Sequence, residues 1–247
     1  ILTHYPRSIG ISKQITSQEA KINSEQQKRV QVGDLVAILI ERIAFEARES
    51  EYVDSKSGVS ARLTISAYEN LVSTAERRAL MNGEAKTEAR ISDLVGIVPA
   101  VNGKIELVYE GEQEGSGVVA LNLLSKAIRN QFVTMFPDPS KLKKKKEVSP
   151  YLSIIEWFSS GNEVDLLTSA NHEAYKKALK SVQGLELLVD SYMPKLKPDT
   201  KLIVMEFVLF GLAEHSLIGK NSLERGFQFV DLFGNLFSGG DGGEEEL

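Results

Sequence analysis

The 247-residue chain contains no cysteine, which excludes disulfide cross-links, a thiolate nucleophile and zinc held by thiolates. It also lacks a long apolar run. The stretch from Leu202 to Ala213 is interrupted by Glu206 and falls short of the roughly 18 residues that a bilayer span requires. No basic segment followed by an apolar one opens the sequence, and the first residue is Ile1. The N-terminus therefore reads as a cut with further protein upstream, not as a signal peptide. Charge of one sign is missing too. With 29 basic and 34 acidic side chains the net charge is −5, so no global field draws the chain to nucleic acid or to an anionic membrane. A phosphate-binding P-loop is absent, because Gly103-Lys104 and Gly219-Lys220 are followed by Ile105 and Asn221 and not by a hydroxyl residue. His4, His172 and His215 have no partner at metal-ligand spacing, which gives no metal site. What is present is apolar side chain, 42% of the total, enough for a sizeable core. The expectation is a soluble, cytoplasmic, mainly α protein stabilised by packing.

The helical signals come in a definite order. Thr16-Ser-Gln-Glu19 has the pattern of a capping box and predicts a helix from Ser17 to Lys28. Asp34 precedes Leu35, Ile38, Leu39 and Ile43 at helical spacing, which predicts a helix ending near Ser50. Turn formers fill Tyr52 to Ala61. Ile65, Tyr68, Leu71, Val72 and Ala75 draw an apolar stripe for a helix from Thr64 to Met81, closed by Asn82-Gly83. Ser92 is placed to cap a short helix that Pro99 stops. Between Gly103 and Gly117 the alternation of Ile105, Leu107 and Tyr109 reads as strand, whereas the glutamates at 106, 110, 112 and 114 suit a helix face; a short helix followed by a loop is favoured. Val118 to Phe136 is a further helix, ended by Pro137 and Pro139. Beyond Pro150 the pattern predicts helices over Tyr151 to Ser159, Asp165 to Tyr192 with Gly184 as a candidate break, Asp199 to Leu217, and Ser222 to Phe237. Ser238 to Leu247 carries only Gly and acid besides its end residues and reads as a disordered tail.

Residues with chemical potential are few. The Gly-rich stretch Gly111 to Gly117 is too acidic to cradle phosphate and reads as a flexible turn. Glu110 and Glu114 have no partner base or nucleophile, so they read as a solvated helix face. The lysines between Lys141 and Lys146 lie among prolines without interleaved aromatics, and a linker is the simplest account; anion, nucleic-acid or membrane-surface contact is the alternative. Phe207, Phe210, Phe227, Phe229, Phe233 and Phe237 read as a shared helical core, with an exposed docking face as the alternative. The phrase that stands out is Ser57-Gly-Val-Ser-Ala-Arg62-Leu-Thr64, which sets one arginine at a helix start after a tight turn. Its planar fork of donors suits phosphate oxygens, or equally a carboxylate.

Ser57 to Glu84 (SGVSARLTISAYENLVSTAERRALMNGE), with ARISDL after it and GKIELVYEGEQEG beyond, resembles the region that follows the ATPase core in AAA+ proteins of the magnesium-chelatase ATPase subunit and MoxR type. It is more distantly similar to the equivalent region of minichromosome-maintenance helicases. The resemblance spans residues 1–139 and implies a helical lid over that range. Beyond it come a Lys-rich linker over 140–150, a helical C-terminal domain over 151–237 and an acidic tail over 238–247. It further implies that Arg62 is the sensor 2 arginine, which reaches the γ-phosphate of ATP held by the core or by a neighbouring subunit. The opening ILTHYPRSIGISKQITSQEA resembles the segment immediately after the end of such a core, which would put the arginine finger just before Ile1. Walker A, Walker B and sensor 1 are missing, so ATP and Mg2+ belong to the parent protein and neither is bound by this chain alone.

The partners implied are that upstream core, neighbouring subunits of a homo-oligomeric ring, and a protein target that the machine remodels. Membrane and nucleic acid are not among them. The alternative from a different class is a nucleotide-independent helical scaffold that binds a protein partner. A weaker option is a nucleic-acid module built on Lys141 to Lys146.

Overall fold

The structure is a computed structural model that describes residues 4–145 and 148–232. It is mainly α, and it divides into two compact units, residues 1–131 and 132–247. The division falls inside the helix Ser116–Met135, upstream of Pro137 and Pro139.

The first unit opens with α1 (Ile9–Glu19), which is capped by the Ser8 hydroxyl. Thr16 lies inside this helix and is buried, so it caps nothing. The capping box stands elsewhere, between Asn23 and Gln26 at the start of α2 (Ser24–Arg29). The helix expected over Ser17 to Lys28 is thus replaced by the end of one helix, a break at Ala20 and a short second helix. Next come α3 (Asp34–Arg48) and α4 (Arg62–Met81). Their facing sides carry the fully buried Val36, Leu39, Ile40 and Ile43 on one helix and Leu63, Ala67, Leu71 and Ala75 on the other, the periodicity that makes an amphipathic pair. Gly83, at φ +66, follows α4 as expected.

After α4 the chain pairs two short parallel strands, β1 (Val30–Gln31) and β2 (Thr87–Glu88). It then enters a 3-10 turn over Ser92–Ile97 that runs on into α5 (Val98–Asn102). Pro99 is the second residue of α5, and the chain continues as helix past it. Its missing N–H falls where no intrahelical acceptor exists, and its fixed φ suits a first turn. The ambiguous stretch after Gly103 resolves into both of its patterns. Leu107 bridges Val53 as an isolated antiparallel pair, and α6 covers Tyr109–Glu114. Gly111 is a buried residue of α6 and not part of a flexible turn; a Cβ there would press on the carbonyl oxygen of Tyr52 at 2.5 Å. α7 (Ser116–Met135) comes next.

A buried ion pair of this unit joins the end of α4 to the 3-10 turn. Arg78 and Asp93 are 3% and 1% exposed. The Arg78 Nη2 group donates to Asp93 Oδ2 at 2.7 Å and Nε to Oδ1 at 3.2 Å, while Nη1 reaches Thr87 Oγ1 at 2.8 Å and Nη2 the carbonyl of Glu88 at 3.0 Å. Asp93 also accepts from the backbone N–H of Arg90 at 2.8 Å.

In the second unit α8 (Pro139–Lys145) covers the lysine run as far as Lys145, so that part of the expected linker over 140–150 is helical; Asp138 caps it by accepting from the Ser140 backbone at 2.9 Å. α9 (Leu152–Ser159) is followed by strand β3 (Val164–Leu167), α10 (His172–Ser181), α11 (Leu185–Tyr192) and α12 (Pro198–Glu214). β4 (Gly219–Leu223) and β5 (Gly226–Val230) form a hairpin, and the antiparallel sheet has the order β3-β5-β4. Strand therefore stands where helix was expected at Val164 to Leu167 and after Ser222. In β3 residues alternate between core and surface, Val164 and Leu166 inward beside Asp165, while in β5 Gly226 and Phe229 are buried and the residues between them are half-buried.

The helix α12 is buried on every side from Leu202 to Leu212. Its one charge in that stretch, Glu206, is fully buried and accepts from the Tyr175 hydroxyl at 2.8 Å. Around it Phe132 lies 5.7 Å from Tyr151 and 6.1 Å from Phe207, and Phe210 meets Phe227 and Phe229 edge-on at 4.9 and 5.2 Å. The expected aromatic core holds for these residues. Phe233, Phe237 and the acidic tail over 238–247 lie outside the described residues. Among the described residues no helix is long and apolar enough to cross a membrane.

Replacing Asp93 by Ala takes from the buried Arg78 guanidinium its nearest carboxylate and leaves Glu84, 4.0 Å from Nη1, and should lower the unfolding free energy by about 3–5 kcal/mol. Arg78→Met combined with Asp93→Leu should recover most of that loss. Urea denaturation followed by circular dichroism checks both, and equal losses in the single and double variants would contradict the description.

Candidate functional site

The segment before α4 is built to hold a turn. The Asp54 carboxylate accepts from the Lys56 backbone at 2.9 Å and the Ser57 hydroxyl at 3.0 Å, and these bonds, the backbone one foremost, hold its carboxyl below the usual range. Glu106 lies within hydrogen-bond reach of the same Ser57 hydroxyl, whose single proton serves one of the two carboxylates at a time. Gly58 adopts φ +67, where a side chain is strained and where a Cβ would collide with the Tyr5 hydroxyl. Val59 is fully buried, and its carbonyl accepts from Arg48 Nε at 3.1 Å. The Arg48 guanidinium lies between the rings of Tyr5 and Phe45, 5.0 Å from each centroid. Its Nη1 and Nη2 atoms are buried without an acceptor. Burial pushes its pKa down, against the pull of Tyr5 and Glu41.

Arg62 emerges from this turn as the first residue of α4 and is exposed. Its one hydrogen bond is from Nε to the Ser60 hydroxyl at 3.3 Å, and it has no ion pair among the described residues. The alternative of a carboxylate partner within the chain is thereby removed for the described residues. What remains is a planar set of donors open to solvent, with the geometry to take a phosphate or carboxylate from outside.

Behind Arg62 the first turn of α4 is pinned from within. The Thr64 hydroxyl lies 2.8 Å from that of Thr16 on α1 and donates to the carbonyl of Ala61 at 3.1 Å. On α3, Glu41 is 1% exposed and accepts from the Ser12 hydroxyl. Burial pushes the Glu41 carboxyl above the ordinary carboxylate range, while the hydroxyls of Ser12, Thr16 and Thr64 and the charge of Arg48 pull part of the way back. The stripe of Leu35, Ile38, Leu39 and Ile43 leaves Glu41 on the polar side of its helix in the sequence pattern. The signal that places it inward is its spacing from Ala37 and Ala44, both buried and on the same side of α3.

Glu110 and Glu114 line an open cleft of about 860 Å³ together with Glu51, Tyr52, Val108 and Gln113. Lys220 pairs with Glu214, and His172 lies 3.7 Å from Asp199. His4 bonds the carbonyl of Tyr5 at 2.9 Å, and His215 sits 5.4 Å from the Phe132 ring. No three His, Asp or Glu side chains among the described residues converge on a metal position. No family model matches the chain, and no curated protein and no solved structure matches it either.

The raised carboxyl has a measurable consequence. The folded chain holds the Glu41 proton more tightly than the unfolded chain. Relative to Glu41→Gln, the wild type is therefore at its best below the ordinary carboxyl value of 4.5 and loses ground as pH rises through the folded value. Melting temperatures of the two proteins between acid and neutral pH should diverge in that direction; a constant difference would contradict the placement of Glu41.

Proposed function

We propose that the first unit is the helical lid of an AAA+ ATPase of the magnesium-chelatase ATPase subunit and MoxR type, and that Arg62 is its sensor 2 residue. The observation that carries this reading is the state of Arg62: exposed, at the start of a 20-residue helix, and without an ion pair among the described residues. Arg78, by contrast, meets its acceptors inside the unit. An arginine that meets a nucleotide on another domain must keep its donors free.

In the mechanism this implies, ATP and Mg2+ are held by a core upstream of the chain or by a neighbouring subunit of the ring, and supply the γ-phosphate charge. The residues of this chain orient the guanidinium. Gly58 and the bonds around Asp54 fix the turn, Ser60 Oγ steers Nε, and the Thr16–Thr64 contact holds the first helical turn. Loss of the γ-phosphate removes the partner of Arg62, and the lid is released to move relative to the core. The second unit then transmits that movement to a protein target.

In the complete protein, Arg62→Ala should lower ATP turnover by at least about tenfold. In the isolated 247-residue chain the same change should leave unfolding stability within about 0.5 kcal/mol, because the side chain is exposed. Steady-state hydrolysis and thermal denaturation provide the two readouts. Unchanged turnover would overturn the assignment.

A further inference from the structure

Arg48, near the end of α3, backs the turn that leads to Arg62, and its setting is unfavourable for an arginine. Its Nη1 and Nη2 atoms are buried without an acceptor among the described residues, so they lose hydration with nothing to replace it. A methionine would fill the space between the rings of Tyr5 and Phe45 without that loss. Packing alone therefore does not account for an arginine at this position. What the guanidinium supplies, and a methionine cannot, is the bond from Nε to the Val59 carbonyl at 3.1 Å.

Val59 begins a short path to Arg62. Its side chain is fully buried, so a held carbonyl fixes the planar peptide between Val59 and Ser60 from both sides. The Ser60 carbonyl then accepts from the Leu63 N–H at 3.1 Å, and the Ser60 hydroxyl accepts from Arg62 Nε at 3.3 Å. No side chain caps the start of α4, where free backbone donors are ordinarily met by one. The direction in which the helix sets out is left to the backbone of the turn, which Arg48 grips at Val59. On the other side of that grip the Tyr5 ring lies 5.0 Å from the guanidinium, and the Tyr5 hydroxyl occupies the place that a side chain at Gly58 would need.

We propose that Arg48, held between Tyr5 and Phe45, is a positioning residue for Arg62: through Val59 and Ser60 it sets the direction of the exposed guanidinium and hence its reach to a nucleotide phosphate. This role rests on the nucleotide reading of Arg62 and adds to it the side chain that aims the group.

The test is a double-mutant cycle on ATP turnover in the complete protein. Arg48→Met keeps the packing between the rings and removes the donor to Val59; it should lower turnover by at least about fivefold. In the Arg62→Ala background the same change should cost less than about twofold, because no guanidinium remains to be aimed. Tyr5 is 46% exposed, so Tyr5→Ala spares the core. It should lower turnover in the same direction, lose its effect in Arg62→Ala, and decide the matter where Arg48→Met fails to fold. Losses that are equal with and without Arg62 would make the role structural and overturn the proposal. Turnover lowered by Arg62→Ala but untouched by the changes at Arg48 and Tyr5 would overturn it and leave the reading of Arg62 in place. Full turnover in Arg62→Ala would overturn both.

Discussion

The first unit depends on one buried guanidinium. Arg78 and Asp93 are removed from water together, at 3% and 1% exposure, a loss of hydration that their attraction offsets only when the remaining donors and acceptors are also met. They are met. The two-pronged contact with Asp93, the Thr87 hydroxyl, the Glu88 carbonyl and the Arg90 N–H form one network. That network locks the C-terminal part of α4 to the strand β2 and the 3-10 turn. At the other end of α4, Thr64, Thr16, Ser12 and Glu41 tie its first turn to α1 and α3. A 20-residue helix fixed at both ends by buried polar contacts has little freedom to rotate about its axis. The direction of its first residue is therefore set by the interior.

That constraint gives the exposed Arg62 its interest. The contrast with Arg78 and Arg48 is internal to one unit: one arginine fully served by acceptors, one wedged between two rings with its Nη atoms unserved, and one held out with a single weak bond. Exposure alone is the ordinary state of a surface arginine. Exposure at the end of a rigidly anchored helix, after a turn braced by Asp54 and Gly58, is an arrangement suited to presenting a guanidinium to a partner group. The proposed lid role rests on that arrangement, and for its AAA+ identity on an expectation from the sequence alone.

Local pattern controls the part of the fold that is legible in the sequence. The apolar stripe of α4, its stop at Asn82-Gly83, the turn before it and the break at Gly184 are all visible as residue spacing, and the structure has them. The illegible part depends on partners far along the chain. Thr16-Ser-Gln-Glu19 has the letters of a capping box, but the Thr16 hydroxyl is engaged with Thr64, 48 residues away, and Ser8 and Asn23 do the capping. The pairing of Arg78 with Asp93 leaves no trace in helical periodicity, because one partner lies on α4 and the other on the 3-10 turn beyond it. A helical spacing groups Phe227 and Phe229 with Phe207 and Phe210, whereas their separation of two is the period of a strand, and the hairpin forms against the aromatic face of α12. Arg62 stands out by its position alone; that it has no carboxylate partner among the described residues is information only the fold contains.

The most direct measurement is arginine modification by phenylglyoxal in the complete protein, read residue by residue through peptide mass spectrometry. The account predicts that Arg62 reacts rapidly without nucleotide, that saturating ATP protects it, and that Arg78 stays unreactive in both states. Modification of Arg62 at the same rate with and without ATP would contradict the claim that its free guanidinium serves a nucleotide.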